Sequence, residues 1–598
     1  MDGGVGMVLP GYVAPAGPGG AGGSWLTGGK SAGAGSATGR PARCAKRAVR
    51  FDSRSVGFRR GGARVRMAAE DEKKTGMVET AEKAVKVAPA EKKTKETKRD
   101  AVPVPLEFKP KRESFPELVL SRTADTIDDI KLHFVRKYFP DKSIQGSNRP
   151  RVIVLGCGWG GHALVKTIDT QKYQVVVVSP RNYFLFTPML ASSAAGTVEF
   201  RSICEPIRAS NPYIEYIEAT CTGIDHMKRE IQCVSPTGTE FAIDYAHLVV
   251  AVGASTNTFG TPGVARYCHF LKDVDDARRL RRSIIDQFER ANTPGISEEE
   301  RIRLLTFVIV GGGPTGTEFA AELSDFLNDD LKKYYPRLIT KVTVKLLNSG
   351  QSLLGQFDAA LREDAMKNLQ RNKIDVVLNA RVIEVSETSI KLKSGDELPY
   401  GLAVWAAGNG TRSLVRALID SIPEQSGAKN QVLIDRWLRV KGTTSVFAFG
   451  DCAVSDVDPL PATGQVAAQQ GSYVARLLNR NVCLACEIPV LLPKKMSNDL
   501  TPEQFADMQS ELSGKRNKIK FAKPFQFLSL GIMAYVGGKK AVADVDAGDF
   551  QVGNVSGRLA FFLWRSVYLT KQVSTRNRIL VLQDWIKTRL FGRDISQF

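Results

Sequence analysis

The sequence predicts an α/β protein built on two Rossmann-like dinucleotide-binding domains, with amphipathic helices at its C-terminal end. Two observations predict the domains. An apolar run followed at once by a G-x-G-x-x-G loop occurs at residues 152–161, and again at residues 306–316. A third predicts the helices, because apolar residues recur at helical spacing within the basic, aromatic segment 557–598. A chain of 598 residues is also too long for one core.

The first glycine loop covers residues 156–161, directly after the apolar run. In such a unit Gly156 permits the tight turn, Gly158 lets backbone N–H groups approach a pyrophosphate, and Gly161 lets the next helix pack closely on the strand. One copy alone is weak evidence, since glycine-rich turns between strand and helix are common. The following strand ends at Ser179, where NAD-binding units carry an acidic residue for the ribose hydroxyls, which weakens the assignment of NAD to this unit.

The second copy repeats the device with Gly311, Gly313 and Gly316 in register. Two dinucleotide-shaped sites in one chain suggest one bound flavin and one exchanging nicotinamide. The apolar run 446–448 returns the chain to the first sheet, and Asp451 then follows a glycine turn. That carboxylate is well placed to accept hydroxyls from a sugar-like chain, with an ordinary helix N-cap as the alternative.

The N-terminal segment predicts an organellar transit peptide. Residues 1–67 carry 11 Lys/Arg against two Asp and are rich in Gly, Ala and Ser, with no apolar core of a secretory signal. Residues 65–69 resemble a green-algal chloroplast cleavage site, so the predicted location is the chloroplast, at the stromal face of the thylakoid. The mitochondrial inner membrane is the alternative.

The remaining chain is divided by composition and pattern. Residues 115–140 predict a helix whose apolar stripe, Ile127, Ile130, Phe134 and Tyr138, packs on the body of the protein. The predicted domains are a disordered charged linker (68–112), an N-terminal extension (113–149), a flavin-binding domain (150–270 and 432–490), a nicotinamide-nucleotide domain (271–431) and a C-terminal domain (491–598).

The formal charge of +20 suits an anionic membrane surface or nucleic acid, and the absence of a nucleic-acid-binding signature favours the membrane. No run of 18 apolar residues follows the leader, so we expect peripheral association through residues 557–598. A helix pair that packs in a dimer is the alternative. The predicted apolar face is Leu559, Phe562, Leu563, Val567, Ile579, Leu582, Ile586 and Leu590. Trp564, Tyr568 and Trp585 are predicted at headgroup level, and the basic face is Arg565, Lys571, Arg576, Arg578, Lys587, Arg589 and Arg593.

The nine cysteines form no regular framework. Cys483 and Cys486 form a C-x-x-C without the second pair that a zinc site needs, so we predict a structural or incidental role, with redox sensing as the alternative. A disulfide reductase would need a cysteine pair soon after the first helix, and residues 162–200 contain none. No metal site is predicted.

Together these motifs resemble the type II NAD(P)H:quinone oxidoreductases, the non-pumping alternative dehydrogenases, most closely their eukaryotic organellar branch. The resemblance covers residues 150–598. It rests on the two glycine loops and on SPRNYFLFTP (179–188), WAAGN (405–409), FAFGDCA (447–453), ATGQVAAQQ (462–470) and the basic aromatic tail (561–594).

The resemblance implies a non-covalent FAD, NADH and/or NADPH as substrate, a quinone acceptor and a homodimer. For FAD it implies that the pyrophosphate lies on Gly156, Gly158 and Gly161, the adenosine near Arg181, the flavin ring on Thr187 and Pro188, and the ribityl–phosphate region on Asp451. For the nicotinamide nucleotide it implies Gly311, Gly313, Pro314, Thr315 and Gly316, with Glu318 near the nicotinamide and Gly408 opposite. Gln465 and Gln469 match the A-Q-x-x-x-Q quinone motif, with Gly464 in place of its alanine, so both amides are implied to line the quinone approach; two satisfied surface amides are the alternative. Glu318, Gln465 and Gln469 are the catalytic residues that the resemblance implies.

One departure concerns nucleotide specificity. Members of this group that prefer NADH usually end the second strand of the nicotinamide unit in Glu, and this chain has Asn348. Removing that charge removes the repulsion of a 2′-phosphate, so we predict that NADPH is used as well as NADH. Residues 479–523 lack the calcium-loop pattern of one branch, so we expect no calcium control.

The predicted activity is hydride transfer from NADH or NADPH to FAD, followed by reduction of a quinone at a membrane surface without proton pumping. A chloroplast location would make that quinone plastoquinone. The alternatives are a soluble FAD/NAD(P)H reductase with a different acceptor, and an interaction protein that binds nucleotide without turnover.

Overall fold

A computed structural model describes residues 113–138, 149–480, 522–547 and 550–596. The predicted transit peptide and linker lie outside the described residues, as do Cys483, Cys486 and most of the segment considered for calcium.

Helices and strands alternate along the first half of the described chain. In order they are α1 (Phe115–Tyr138), β1 (Arg151–Leu155), α2 (Trp159–Thr167), β2 (Gln174–Ser179), β3 (Tyr183–Leu185), α3 (Leu190–Ala194), β4 (Cys204–Pro206), α4 (Ile207–Ser210), β5 (Glu215–Glu218), β6 (Thr220–Asp225), β7 (Glu230–Val234), β8 (Glu240–Asp244), β9 (His247–Val250), β10 (Ser255–Thr256), α5 (Val264–Tyr267), β11 (His269–Phe270), α6 (Val274–Ala291), α7 (Glu298–Leu304) and β12 (Thr306–Val310).

The second half repeats the alternation and ends in a small antiparallel sheet with two helices. Its elements are α8 (Pro314–Phe326), α9 (Lys332–Tyr334), β13 (Thr343–Leu347), α10 (Ala359–Arg371), β14 (Ile374–Val377), β15 (Val382–Val385), β16 (Ser389–Leu392), β17 (Glu397–Pro399), β18 (Leu402–Trp405), β19 (Asn409–Gly410), α11 (Ser413–Asp420), β20 (Val432–Ile434), β21 (Val446–Ala448), β22 (Ala453–Ser455), α12 (Gly464–Arg480), β23 (Ile532–Gly537), β24 (Lys540–Ala547), β25 (Phe550–Gly557), α13 (Arg558–Thr570) and α14 (Thr575–Phe591).

Two five-stranded parallel sheets confirm the predicted fold class. The first has the strand order β21-β9-β1-β2-β5 and the second has the order β11-β18-β12-β13-β14. Strand β1 is flanked by β2 and β9, and β12 is flanked in the same way by β13 and β18. In both sheets the central strand therefore delivers its glycine loop to the carboxyl edge, where nucleotides bind in this class of fold.

The two sheets have separate cores, and the C-terminal elements belong to the second. One core surrounds β1, β2, β9 and β21. The other joins α6, α8 and β12 to the β23-β24-β25 sheet and to α13 and α14. The C-terminal helices are thus part of this second core, and α14 also bonds to residues 197–205, which precede β5 of the first sheet.

The apolar stripe predicted to pack α1 on the protein body is wrong. Ile127, Ile130, Phe134 and Tyr138 are all about half exposed in the structure. Helix α1 instead buries its opposite face, through Leu118 (5% exposed) and Asp125 (8% exposed). Periodicity located the helix, but ion pairs to α12 decide which face turns inward.

The C-terminal helices expose only part of the face predicted for them. Leu559, Phe562, Ile579, Leu582, Ile586 and Leu590 are each at least 46% exposed. Leu563 and Val567 are half-buried. No helix among the described residues is long and apolar enough to cross a bilayer.

Three side chains predicted at the membrane lie inside the protein. Trp564 is 3% exposed and Trp585 is 8% exposed, so neither ring is at a headgroup level. Tyr568 is half-buried beside Trp564, with ring centroids 4.6 Å apart. The helices turn these aromatic rings towards the shared core because burying them removes a large apolar area from water.

Arg593, predicted on the basic face, is also buried. Its guanidinium lies 2.8 Å from Asp330 and 3.7 Å from Glu322, and it donates to the Thr197 hydroxyl. A buried cation needs such partners, so Arg593 fixes the end of α14 to the protein instead of facing lipid.

Candidate functional site

The first glycine loop has the geometry expected of a phosphate-binding turn. Gly156 has φ +98°, and a Cβ there would lie 2.5 Å from the Ala251 carbonyl oxygen. A Cβ on Gly161 would lie 2.1 Å from the carbonyl oxygen of Gly156, whereas a Cβ on Gly158 would meet nothing within 4 Å. The first and third glycines therefore close the turn, and the second leaves open space at the start of α2.

The second loop repeats this geometry position by position. Gly311 has φ +124°, and a Cβ there would lie 2.8 Å from the Ala406 carbonyl oxygen. A Cβ on Gly316 would lie 1.9 Å from the Gly311 carbonyl oxygen, and a Cβ on Gly313 would meet nothing within 4 Å. Because both loops combine a closed turn with one open glycine, each could admit the phosphates of a dinucleotide.

The helices that follow the loops begin without a side-chain cap. Gly158 is the N-cap of α2 and Gly313 is the N-cap of α8, and neither helix has a side-chain cap or an acidic residue in its first turn. Pro314 and the exposed Thr315 begin α8. Such a helix end attracts anions, so the residues present fit the FAD pyrophosphate at the first loop and a nicotinamide nucleotide at the second.

Charged side chains that follow strands of the first sheet pair with residues just before α6. Arg181 pairs with Asp273 at 2.8 Å. Asp451 follows β21 in a short turn and lies 4.0 Å from the Lys272 ammonium. Burial, opposed by Asp451, lowers the pKa of Lys272. The sequence analysis did not select Lys272 or Asp273, since neither lies in a glycine motif.

The aromatic loop after β2 is joined to the first glycine loop through Trp159. The Trp159 indole donates to the Thr187 hydroxyl at 3.0 Å, and its ring lies 5.3 Å from that of Phe186. Pro188 follows in a short 3₁₀ turn. The structure therefore places Thr187 and Pro188 beside the first loop, and their place at the flavin ring stays a prediction.

Helix α12 also packs on the first loop at very short range. A Cβ on Gly471 would lie 2.1 Å from the Gly160 carbonyl oxygen, and a Cβ on Gly464 would lie 2.8 Å from the Trp159 ring. Gln470, which was not predicted, accepts the Gly450 N–H at 2.9 Å and so supports the turn that carries Asp451. The N-terminal half of α12 is therefore fixed beside the first loop.

Asn348 lies at the end of β13, against the second glycine loop. Its amide oxygen accepts the Gly312 N–H at 3.3 Å, and its amide nitrogen donates to the carbonyls of Ser352 (2.8 Å) and Gly350 (3.2 Å). The side chain thus ties the loop after β13 to the glycine loop. Gly408, after β18, has φ +75° and faces the Phe259 ring.

Glu318 lies in the second turn of α8 and is buried, at 8% exposed. It accepts the Tyr535 N–H at 3.2 Å from the C-terminal sheet. Burial raises the pKa of the Glu318 carboxyl to about 8, and the neighbouring Glu322 raises it further, against the hydrogen bond from Tyr535. The carboxyl is therefore a proton-holding group near neutral pH.

A second acid on the same helix extends this polar cluster. Asp325 accepts the Gly538 N–H at 3.0 Å and the Tyr535 hydroxyl. Burial raises its pKa to about 6. Sequence reasoning missed Asp325 and Tyr535, although the spacing of Glu318, Glu322 and Asp325 on one helix face was a signal that could have been read.

Gln465 and Gln469 lie on one face of α12, as their spacing predicts. Gln465 donates to the Gly531 carbonyl at 3.1 Å, and Gln469 makes two bonds to the backbone of Leu528. The structure brings both glutamines beside the chain segment that leads into β23. Among the described residues no cluster of His, Cys, Asp and Glu could hold a metal ion.

Comparison with known proteins adds sequence and structural relatives. Residues 150–471 match the protein family described as pyridine nucleotide-disulphide oxidoreductase, and residues 530–594 match the family described as NDH2 C-terminal domain. An external alternative NAD(P)H-ubiquinone oxidoreductase B1, mitochondrial, of Solanum tuberosum is 38% identical, with 75% of this chain and 91% of that protein covered.

A second related sequence and one solved structure are also similar to this chain. An external alternative NADH-ubiquinone oxidoreductase, mitochondrial, of Yarrowia lipolytica is 40% identical over 75% of this chain and 81% of its own length. The solved structure of NDH2 from Plasmodium falciparum in complex with NADH superimposes with a TM-score of 0.66 at 26% identity. It covers 75% of this chain and all of that one.

Proposed function

Since the chain belongs to the type II NADH:quinone oxidoreductase family, we infer that its first glycine loop binds FAD and its second binds the nicotinamide nucleotide. The protein is an NAD(P)H:quinone oxidoreductase that uses FAD. FAD, when bound, accepts a hydride from the nicotinamide and passes two electrons to a quinone. The observation that carries the proposal is the matched geometry of the loops at Gly158 and Gly313, each with open space at an uncapped helix N-terminus.

Residues of the chain would position FAD and the nicotinamide nucleotide, and one of them would hold the proton that the reaction consumes. The first loop, Thr187, Pro188 and Asp451 would hold FAD, and the second loop with Asn348 and Gly408 would hold the nicotinamide nucleotide. Oxidising NAD(P)H with a quinone takes up one proton, and Glu318 is the buried acid that would hold it.

One steady-state assay tests the function. The purified protein should oxidise NADH and NADPH with a short-chain quinone, and its absorbance spectrum should show bound flavin. A protein with flavin but no quinone-dependent turnover would favour a reductase with a different acceptor. Nucleotide binding without any turnover would favour an interaction protein.

We propose that NADPH is a substrate beside NADH because Asn348 places no negative charge at the end of β13. Asn348→Glu should lower kcat/KM for NADPH by about tenfold to 100-fold relative to NADH, since the new carboxylate repels a 2′-phosphate. Asn348→Gln is the matched control, because glutamine has the same length as glutamate but carries no charge. An unchanged NADPH/NADH ratio in the glutamate variant would contradict this role of Asn348.

The relatives and the leader indicate different locations and different acceptors. The relatives from Solanum and Yarrowia are named mitochondrial and ubiquinone-dependent. We therefore propose the mitochondrial inner membrane and ubiquinone, in place of the chloroplast thylakoid and plastoquinone that residues 65–69 predict. A fluorescent fusion to residues 1–112 and a comparison of short-chain ubiquinone with plastoquinone analogues would separate the two locations.

We propose peripheral membrane binding through the exposed stripe of α13 and α14. Leu582 and Ile586 are about half exposed, so insertion of each contributes about half of the 1.5–3 kcal/mol of full burial, and Leu582→Gln with Ile586→Gln should weaken binding to anionic vesicles about tenfold to 100-fold. Met227→Gln, at an 83% exposed position on the β6–β7 turn, is the control. Vesicle co-sedimentation is the measurement, and equal binding by both variants would contradict this surface.

Deleting residues 557–598 is not a suitable test of membrane binding. The deletion would remove Trp564, Trp585 and Arg593 from the protein interior.

Homodimer formation, which the resemblance implies, is a separate prediction, and light scattering would test it.

A further inference from the structure

The segment 522–531, here called the strap, lies beside α12 without regular secondary structure. Helix α12 holds it through three side chains at helical spacing. Gln469 donates to the Leu528 carbonyl (2.9 Å) and accepts the Leu528 N–H (3.1 Å). Gln465 donates to the Gly531 carbonyl, and the Tyr473 hydroxyl donates to that of Lys523 at 2.7 Å. Side chains thus supply backbone partners that a helix or sheet would otherwise provide.

Helix α1 and the residue Glu113 before it also bond to the strap. The Gln526 side chain makes two bonds to the backbone of Glu113, at 2.9 Å and 3.1 Å. Arg122 donates to the Gln526 carbonyl at 2.6 Å, and its guanidinium lies 5.8 Å from the centre of the Phe525 ring. The strap therefore has a second set of hydrogen bonds that does not involve α12.

Helix α1 is itself fixed to α12 by ion pairs centred on the buried Asp125. The Arg476 guanidinium lies 3.2 Å from Asp125 and 2.6 Å from Asp129. Arg480 adds a contact of 2.7 Å to Asp125. One face of α12 thus carries the strap at its first half and α1 at its second, so that α1, the strap and α12 form a closed set of contacts.

These contacts change the role assigned to the glutamine pair. The Gln469 amide already uses its oxygen and one of its N–H groups on a single backbone position of the strap. We propose that Gln469 is a positioning residue, which acts on the quinone site through the strap, and that α1 supports the same site from a distance through Arg122. This rests on the proposed function, with the quinone site taken beside Gln465 and Gln469 because these residues match the quinone motif.

The proposal makes a remote residue matter to one substrate only. Arg122→Met removes a hydrogen bond from α1 to the strap, and Gln469→Leu removes hydrogen bonds from α12 to the strap. Each should raise the KM for a short-chain quinone about fivefold, the effect of losing roughly one hydrogen bond. In both variants, hydrogen exchange of a peptide covering residues 522–531 should accelerate in the full-length, flavin-loaded protein. Arg122→Met should leave the rate with ferricyanide, a small soluble acceptor, unchanged.

Lys131→Met is the matched control, because it removes a cation from an exposed part of α1 whose Asp128 partner is also exposed. It should leave both quinone KM and strap exchange as in the wild type. The proposal is overturned if Gln469→Leu raises the quinone KM while Arg122→Met changes neither that KM nor strap exchange, since the glutamine would then act by direct contact. Failure of the proposed function itself would differ, because the wild type would show no quinone-dependent oxidation.

Discussion

Replacing Gly158 with valine is expected to give a folded protein that purifies without flavin. A Cβ at Gly158 would meet no protein atom within 4 Å, so the protein itself has room for the side chain. The valine would instead occupy the space at the α2 N-terminus that the FAD pyrophosphate needs. We expect turnover to fall by about 100-fold or more, as for the loss of several charge-assisted hydrogen bonds.

The equivalent change in the second loop should separate the two nucleotide sites. Gly313→Val should keep its flavin but raise the KM for NADH and NADPH by about 100-fold, because Gly313 occupies the same position at the start of α8. Gly355→Val, at an exposed glycine with the same open surroundings, is the control for folding. Flavin content is measured by absorbance and KM by initial rates. If Gly313→Val lost its flavin while Gly158→Val kept it, the assignment of FAD to the first loop and the nicotinamide nucleotide to the second would be reversed.

Replacing Glu318 with glutamine should slow quinone-coupled turnover by about 100-fold, the usual contribution of a positioned acid or base. Glutamine keeps an oxygen to accept the Tyr535 N–H but cannot hold or release the proton. Because burial raises the Glu318 pKa to about 8, kcat of the wild type should fall as pH rises through 8. The variant should lack that step, and a variant with wild-type kcat and pH profile would contradict the role.

The same pKa predicts a stability change of definite sign. The folded pKa lies above the ordinary value of 4.5, so the protonated carboxyl favours the folded state at low pH. That stability is lost as pH rises from about 4.5 through 8. The Tm of Glu318→Gln should therefore fall less than that of the wild type between pH 5 and pH 8.5. Glu363→Gln, at an exposed position on α10, should leave the wild-type pH dependence of Tm unchanged.

The glycine loops are the part of the candidate site that could be predicted from sequence. Their function depends on contacts within a few residues and on the adjacent strand, and on a backbone angle that only glycine adopts easily. The positive φ of Gly156 and Gly311, and the open positions of Gly158 and Gly313, therefore match the roles expected from spacing alone.

Helical spacing located the amphipathic helices but not the direction that each face takes. On α1 the more apolar stripe stays exposed, while Asp125 turns inward to meet Arg476. On the C-terminal helices, Trp564 and Trp585 face the core and Arg593 is buried against Asp330. Periodicity gives a pattern around a helix axis, and the partner that covers one side comes from distant parts of the chain.

The two nucleotide units and their order can be read from the sequence, because a G-x-G-x-x-G turn is set by local steric contacts. The contacts of Tyr535 with Glu318 and of Leu528 with Gln469 arise only in the folded chain. These partners are 217 and 59 residues apart in the chain. Such contacts depend on how the C-terminal sheet and strap pack against α8 and α12, which no local pattern encodes.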